Sequence, residues 1–364
     1  MLLLRFRPMP RTPFRRIATS NNLYRSGRFP TALGNFAVHR LYTTMTPVDR
    51  PIRVLTVGTG AVGAIYSWRL SKTCNITTVC RSNYEQVKKE GFDIDSKKFG
   101  REIFVPDQVV NSVPNEPFDY VVCTLKALPD IYNVADIIEP AVTKGKTSVV
   151  LIQNGLGVEE PIVERFPDNP IVSIVAYIGT SQLAPGRIKM VGDESLVVGN
   201  YLPSPVNANK QIDEFVELLR KGGCTVQRVD DVERVRWQKL FWNGTFSPVC
   251  AISRMNTTEI LASEQAMTTV KKLMSEVIQA ANAMGYEYNI EEQMAAMIER
   301  TRATAMDYKP SMLLDLERGQ PMEVDVILGT PLRRAKAKGL NVPSLEVIHD
   351  LCSAINAHTL NKKK

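Results

Sequence analysis

Histidine is nearly absent from this chain, and its cysteines follow no pattern. The 364 residues include three histidines, at positions 39, 349 and 358, and six cysteines scattered without a C-x-x-C pair. Zinc sites and histidine-based catalytic triads need these residues at characteristic positions, so the sequence argues against both and predicts no metal site. Unpaired cysteines favour a reducing compartment, either the cytosol or the mitochondrial matrix.

Long apolar runs are missing too. No segment approaches the roughly 18 to 20 consecutive apolar residues that cross a bilayer, so we expect no membrane partner. Apolar residues make up 44% of the chain and charged residues 23%, which are ordinary proportions for a globular protein. The composition therefore excludes collagen-like and disulfide-stapled chains as well.

Acidic residues are absent from residues 1–48, which contain eight arginines and no lysine. The rest of the chain holds 37 basic and 38 acidic residues, so this leader accounts for the formal net charge of +7. A nucleic-acid-binding protein would carry its positive charge on the folded domain, and we therefore expect no nucleic-acid partner. An arginine-rich, acid-free leader is typical of a mitochondrial transit peptide. The alternatives are a disordered tail or a start at Met45, and a cytoplasmic location.

The length predicts two domains, since a domain typically spans about 150 residues. Apolar strand patterns alternate with helical ones, and the strands are predicted at 52–57, 76–80, 120–125, 149–152 and 171–178. This alternation favours an α/β Rossmann domain over residues 50–205, with a parallel sheet covered by helices. Turn-forming residues at 201–209 mark a boundary. From 210 to 358 the apolar spacing is helical, which predicts an all-α domain.

A glycine motif follows the first predicted strand and opens a helix. It reads Gly58-Thr59-Gly60-Ala61-Val62-Gly63. In this context the first glycine permits a tight turn, the second lets the backbone approach a pyrophosphate, and the third allows close helix packing. The helix N-terminus offers free N–H groups to the phosphates. These six residues are therefore candidates for binding a dinucleotide.

Arg81 follows the second predicted strand, where an NAD-binding domain usually has an acidic residue. A guanidinium group can bind the 2′-phosphate of NADPH through two hydrogen bonds, whereas a carboxylate would repel it. The sequence therefore predicts NADPH as the cofactor, with Lys88 and Lys89 close enough to assist. A solvated surface arginine is the alternative.

With histidine scarce, a lysine desolvated in a cleft is the natural proton donor. The apolar spacing predicts a helix over 233–246. Lys239, Asn243 and Ser247, which directly follows that range, are spaced by four residues, so we expect them to share one helix face. Polar groups among large apolar neighbours usually need a partner or a ligand. A stripe that faces solvent is the alternative.

Two further polar residues, Ser311 and Glu323, lie near the end of the chain. Gly319 is a helix-stop signal, and Pro321 predicts the start of a new helix with Glu323 in its first turn. There the carboxylate is free to face a cleft. It equally suits a favourable charge at a helix N-terminus without a chemical role.

Together these motifs resemble the ketopantoate reductases (2-dehydropantoate 2-reductases). The resemblance extends over residues 52 to 350. It rests on the glycine motif, Thr124-Leu-Lys-Ala127, Gln153-Asn-Gly-Leu-Gly157, Lys239-x-x-x-Asn243, and Pro310-Ser-Met-Leu313 followed by Glu323.

The resemblance implies an NADPH-dependent reduction of 2-dehydropantoate to pantoate, a step of pantothenate and coenzyme A biosynthesis, in a cleft between the two domains. Lys239 would be the general acid, and Glu323 would contact cofactor and substrate and orient Lys239. Lys126 and Asn154 would border the cofactor. The substrate would be bound by Lys239, Asn243 and Ser311.

The chain departs from the family at Ser247, where many members carry a second asparagine before proline. A hydroxyl retains one hydrogen bond but not the full set of an amide, so Ser247 leaves the identity of the small 2-oxo acid open. The alternatives are another branched 2-oxo acid or a non-catalytic NADP-binding sensor. A homodimer is an open possibility.

Overall fold

The computed structural model describes residues 50–303 and 307–361. The predicted transit peptide at 1–48 lies outside these residues and stays a prediction. From Pro51 onward the described residues belong to one unit, which consists of a sheet-bearing half and a helical half.

The sheet of the described residues has ten strands in the order β4-β3-β9-β8-β7-β6-β1-β2-β5, with β10 beside β9. Their bounds are β1 Arg53–Val57, β2 Asn75–Val79, β3 Phe92–Ser96, β4 Gly100–Phe104, β5 Gln108–Val110, β6 Tyr120–Cys123, β7 Ser148–Leu151, β8 Ile171–Ala184, β9 Arg187–Gly199 and β10 Val226–Val229. The strands from β8 through β5 run parallel.

The parallel centre follows from continuous apolar segments. In β1 four of the five residues are buried, and Val54 pairs in parallel register with Ile76 on one side and Tyr120 on the other. A strand covered on both faces needs apolar side chains on both, which is why these segments lack alternation. The predicted Rossmann sheet and the helical C-terminal region are confirmed.

The sequence missed the outer strands, and the structure shows why. Strand β9 runs antiparallel to β8, and their register shifts at a bulge between Ile178 and Gly179, which interrupts the two-residue period. Strand β3 alternates buried and half-buried residues with two aspartates, a pattern of an outer strand rather than a buried run.

The helices of the described residues follow in chain order. They are α1 Ala61–Leu70, α2 Tyr84–Glu90, α3 Val134–Ile138, α4 Glu160–Arg165, α5 Asn209–Lys221, α6 Val232–Asn243, α7 Phe246–Ser253, α8 Thr257–Ala262, α9 Glu264–Ala283, α10 Ile290–Ala303, α11 Ser311–Glu317, α12 Thr330–Ala337 and α13 Pro343–Asn361. A 3-10 turn occupies Glu139–Ala141, and a π-helical segment, Asp325–Gly329, leads into α12.

The sheet-bearing half continues to residue 229, beyond the boundary predicted at 205–210. Helix α5 covers the sheet with its apolar face, where Phe215 packs on Tyr120 with ring centroids 5.0 Å apart. Strand β10 then pairs in parallel with β9. The turn formers at 201–209 mark a surface turn within this half, because α5 still has an apolar face to bury.

The single helix predicted over 233–246 is divided in two. Helix α6 ends at Asn243, and the Thr245 backbone leaves helical geometry with φ −127° and ψ −69°. The Thr245 hydroxyl donates to Phe241 O at 2.7 Å and competes with the helical ladder. The prediction that Ser247 shares a helix face with Lys239 and Asn243 is therefore wrong, since Ser247 belongs to α7.

Glu323 lies just before its helix rather than in the first turn. The Asn356 side chain bonds both the N–H and the C=O of Met322 at 2.9 Å, which holds that residue outside the helix. The Glu323 carbonyl accepts from Ile327 N at 3.3 Å, so the helical ladder begins at Glu323.

Gly63→Ala tests the packing of α1 on the sheet. An added Cβ would lie 2.5 Å from Thr124 Oγ1 and 2.8 Å from Gly58 O, so the helix must move outward. We expect the free energy of unfolding in urea to fall by about 1–3 kcal/mol. Gly60→Ala is the matched control, because its Cβ would meet nothing within 4 Å and its φ is −77°. Equal stability losses in the two variants would contradict the close approach at Gly63.

Candidate active site

Three loops meet at the carboxyl edge of the central strands. They follow β1, β6 and β7 and contain the glycine motif 58–63, residues 124–127 and residues 153–157. Parallel strands bring their carboxyl ends to one edge, and the strand order β7-β6-β1 makes these loops neighbours. The sequence motifs are thereby assembled in one region.

The glycine motif is built against the neighbouring loop. Gly58 has φ +96°, and a Cβ there would lie 2.5 Å from Leu125 N. Gly60 is exposed with open space around its Cα, and the first N–H groups of α1 beyond it lack intrahelical partners. The Thr59 hydroxyl donates to Val79 O at 2.6 Å, and the Thr59 carbonyl accepts from Asn83 Nδ2 at 2.9 Å, which leaves the backbone N–H of Thr59 for a ligand. The half-buried Ala61 and Val62 begin the helix.

Arg81 is exposed just after β2, and its guanidinium makes no hydrogen bond or ion pair with residues 50–303 or 307–361. Lys88 donates to Tyr84 Oη at 3.0 Å and Lys89 pairs with Glu90 at 3.0 Å, so both lysines contact their own helix. Of Arg81, Lys88 and Lys89, Arg81 is therefore the one whose charged group has no such contact.

Asn154 connects Lys239 to Glu323. Lys239 Nζ donates to Asn154 Oδ1 at 2.7 Å and to Ala176 O at 2.7 Å. Asn154 Nδ2 donates to Glu323 Oε2 at 3.3 Å, and the second carboxylate oxygen accepts from Ala127 N at 2.9 Å. The chain of contacts therefore crosses from the helical half to the sheet and back.

The protonation equilibria of the two ionisable groups shift in opposite directions. Burial lowers the pKa of Lys239 to about 8, with Arg236 adding to the effect and Glu323 opposing it. Burial raises the pKa of Glu323, against the Ala127 N–H, Lys126 and Asn154. Perturbed groups of this kind are typical of functional sites.

A small pocket lies beside Lys239. It is lined by Gln153, Asn154, Gly155, Val175, Arg236, Lys239, Leu240 and Asn243. Its wall combines polar side chains with the apolar Val175 and Leu240. Lys239 and Asn243 are therefore brought together, as the sequence predicts.

Lys126, Ser247 and Ser311 are not among the residues that line this pocket. Lys126 forms an ion pair with Asp315 of α11, which links the loop after β6 to the helical half. Ser311 begins α11 and is exposed, whereas Ser247 is 2% exposed in α7 and is not part of the pocket lining. Helices α7 and α11 pack against each other.

Sequence reasoning missed Arg236, although its position gives a signal. It precedes Lys239 by three residues and therefore shares its helix face. Its side chain is 2% exposed and pairs with Glu159. A charged side chain on the same helix face as the candidate acid Lys239 is itself a candidate functional residue.

Metal ligation and membrane insertion are two further properties of the described residues. Within 50–303 and 307–361, histidine, cysteine and carboxylate side chains form no group of three or more that could hold a metal ion. None of the helices in that part of the chain is both long and apolar enough to cross a membrane.

Two family models match the chain. They are ketopantoate reductase PanE/ApbA over residues 54–203 and ketopantoate reductase PanE/ApbA C terminal over residues 231–356. The chain belongs to the ketopantoate reductase family. It is therefore an oxidoreductase of this family, and the resemblance drawn from the motifs is confirmed.

Members and neighbours of the ketopantoate reductase family are similar along most of their length. An uncharacterized protein of Saccharomyces cerevisiae is 31% identical over 343 residues, or 85% of this chain and 95% of that one. The crystal structure of 2-dehydropantoate 2-reductase from Methylococcus capsulatus is 30% identical with a TM-score of 0.76, covering 85% and 98%. The ternary structure of D-mandelate dehydrogenase with NADH and anilino(oxo)acetate shares the fold at 20% identity, with a TM-score of 0.76 and coverage of 85% and 99%.

The burial of Lys239 predicts a pH-dependent stability. Between pH 8 and 10.5 the unfolded chain binds the Lys239 proton and the folded chain does not, so this group's contribution to the free energy of unfolding rises with pH. We expect Lys239→Met to gain stability relative to wild type below pH 8 and to lose that gain by pH 10.5. Urea unfolding at stepped pH measures the difference, with Lys271→Met at an exposed position as the control. A flat difference for Lys239→Met would contradict the assigned desolvation.

Proposed function

We propose that this protein is an NADPH-dependent 2-dehydropantoate 2-reductase, which reduces ketopantoate to pantoate for pantothenate and coenzyme A biosynthesis. The observation that carries the proposal is the contact chain from Lys239 through Asn154 to Glu323, beside the glycine motif. It joins a proton donor to a carboxylate at the edge of a nucleotide-binding sheet.

The residues at the sheet edge fit a dinucleotide. The open space at Gly60 admits a pyrophosphate, and the N-terminus of α1 offers N–H donors to it. The exposed Arg81 suits the 2′-phosphate, and Lys126, Asn154 and Glu323 border the region between the glycine motif and Lys239. When bound, the nicotinamide supplies the hydride that a ketone needs at carbon.

Lys239 is the source of the proton that the ketone oxygen needs. An ammonium group has three N–H donors, and Asn154 and Ala176 accept two of them. The third is left for the carbonyl oxygen of the substrate. With a pKa of about 8, Lys239 is mostly protonated at neutral pH, yet it releases a proton to a forming alkoxide more readily than a solvated lysine.

Glu323 and Asn154 position the proton donor. Because Asn154 Nδ2 donates to the carboxylate, its Oδ1 must face the other way, toward Lys239. Glu323 therefore sets the orientation of the amide and stabilises the ammonium through its charge. We therefore propose two roles for Asn154 and Glu323: they position Lys239, and they contact the cofactor.

The substrate-binding side chains we propose are Asn243, Ser311 and Ser247, together with Lys239. Asn243 lines the same pocket as Lys239, and its amide both donates and accepts hydrogen bonds. Ser311 stands at the exposed start of α11, where a carboxylate has access to its hydroxyl.

Ser247 favours a second candidate, the NADPH-dependent reduction of another branched 2-oxo acid. At this position a serine replaces the amide that many family members have, and its hydroxyl retains only part of the amide's hydrogen bonding. Steady-state assays with ketopantoate and with a series of branched 2-oxo acids, each with NADPH and NADH, decide between the two. The highest kcat/KM on a substrate other than ketopantoate would replace the first candidate with the second.

Lys239→Ala tests the proton donor. We expect kcat to fall by about 10²- to 10⁴-fold, because a positioned acid contributes about that much. In wild type, kcat should decline above pH 8 as Lys239 loses its proton. NADPH binding, followed by fluorescence, should be retained, and Lys271→Ala is the exposed-lysine control. Near-normal turnover in Lys239→Ala would refute the assignment.

Arg81→Asp tests the cofactor. A carboxylate repels the 2′-phosphate, so KM for NADPH should rise much more than KM for NADH. Lys97→Asp, at an exposed lysine between β3 and β4, makes the same change in net charge and should leave the ratio of the two KM values unchanged. Equal effects of Arg81→Asp on both cofactors would exclude the phosphate contact.

A further inference from the structure

A buried ion pair lies one helical turn before Lys239. Arg236 Nε and Glu159 Oε1 are 2.6 Å apart, and the side chains are 2% and 1% exposed. Arg236 Nη2 donates to Ser173 Oγ at 2.8 Å, and that hydroxyl donates to Glu159 Oε1 at 2.5 Å. Burying two charges is costly unless their remaining polar atoms are also hydrogen-bonded, so the other contacts of Arg236 matter.

The Nη1 amino group of Arg236 donates hydrogen bonds to the backbone on both sides of Asn154. Nη1 donates to Gln153 O at 2.8 Å and to Gly155 O at 3.1 Å. Glu159 and Ser173 fix the guanidinium plane from the opposite side. Because this planar, rigid donor bonds the carbonyls on both sides of Asn154, it fixes the backbone position from which the Asn154 side chain extends.

The turn around Asn154 is also hydrogen-bonded to the two segments that hold Glu323 in place, one before Ala127 and one after Glu323 itself. Gln153 Nε2 donates to Leu125 O at 2.8 Å, two residues before Ala127, whose N–H bonds Glu323. Leu156 N donates to Val326 O at 2.8 Å, three residues after Glu323. A shift of the 153–156 turn would therefore move Asn154 and Glu323 relative to Lys239.

We infer that Arg236 is a positioning residue of the proposed reductase: its buried guanidinium, anchored on Glu159 and Ser173, fixes the 153–155 turn so that Asn154 holds Lys239 and Glu323. The inference rests on the proposed function. It adds a residue that acts by positioning Asn154.

The charge of Arg236 has a separate effect on Lys239. It contributes to the lowered pKa of Lys239, after burial. The other groups that face Lys239 are Glu323, which opposes the shift, Asn154, and Tyr177 of β8, whose ring centroid is 5.5 Å from Nζ. Geometry and charge can be separated, because a lysine at 236 retains the charge and loses the planar fork.

Arg236→Lys tests the geometry. A displacement of about 1 Å in a reacting group costs up to about 10²-fold in rate, so we expect kcat to fall by about 10- to 100-fold. The affinity for NADPH, measured by fluorescence, and the pH at which kcat declines should stay as in wild type. Arg234→Lys, an exposed arginine on the same helix, is the matched control and should retain wild-type kcat.

Arg236→Met combined with Glu159→Gln tests the charge without leaving a buried carboxylate unpaired. We expect the decline of kcat at alkaline pH to move to higher pH. The rate at which cyanate carbamylates Lys239, followed against pH by peptide mass spectrometry, gives the same midpoint without turnover, and it should move upward too.

A purely structural role predicts a different result. In that case the variants would unfold at lower temperature, while kcat per folded molecule and the Lys239 midpoint matched wild type, and the inference would be overturned. If wild type reduces no 2-oxo acid but the cyanate midpoint still shifts in the double variant, the proposed function fails and the coupling of Arg236 to Lys239 stands.

Discussion

A partly buried ammonium group requires acceptors, and this requirement at Lys239 ties the two halves of the molecule together. Helix α6 supplies the lysine, whereas both acceptors, Asn154 and Ala176, come from the sheet-bearing half. The amide of Asn154 then returns to the helical half at Glu323. Neither half alone satisfies its own polar groups here, so the arrangement exists only when the two are packed.

The same burial brings the two ionisable groups closer in acidity. Removal from water disfavours the charged form of either group, which lowers the pKa of Lys239 and raises that of Glu323. A lysine with a lowered pKa is a stronger acid than a solvated lysine. The apolar surroundings that α6 and β8 provide therefore make Lys239 more acidic without contacting its proton.

The sequence identifies those parts that depend on local pattern or on a motif. The central strands are continuous apolar segments, and the glycine motif and Lys239 stand out by residue type and spacing. Parts that depend on tertiary contacts could not be predicted. Helix α5 has the same periodicity whether it covers a sheet or another helix, and the break after Asn243 depends on the Thr245 hydroxyl bonding back to the preceding turn. The spacing places Arg236 on the helix face of Lys239, but its partner Glu159 is 77 residues away and is identified only by the fold.

The break between α6 and α7 separates two kinds of evolutionary change. If Lys239 and Ser247 were on one continuous helix, a substitution that altered packing at 247 would rotate or shift the lysine as well. The break at Gly244 and Thr245 means that a shift of α7 is not passed to α6 along one continuous helical ladder. A new side chain at 247 therefore changes the α7 side of the molecule while α6 keeps its register, and with it the position of Lys239, the proton donor we propose.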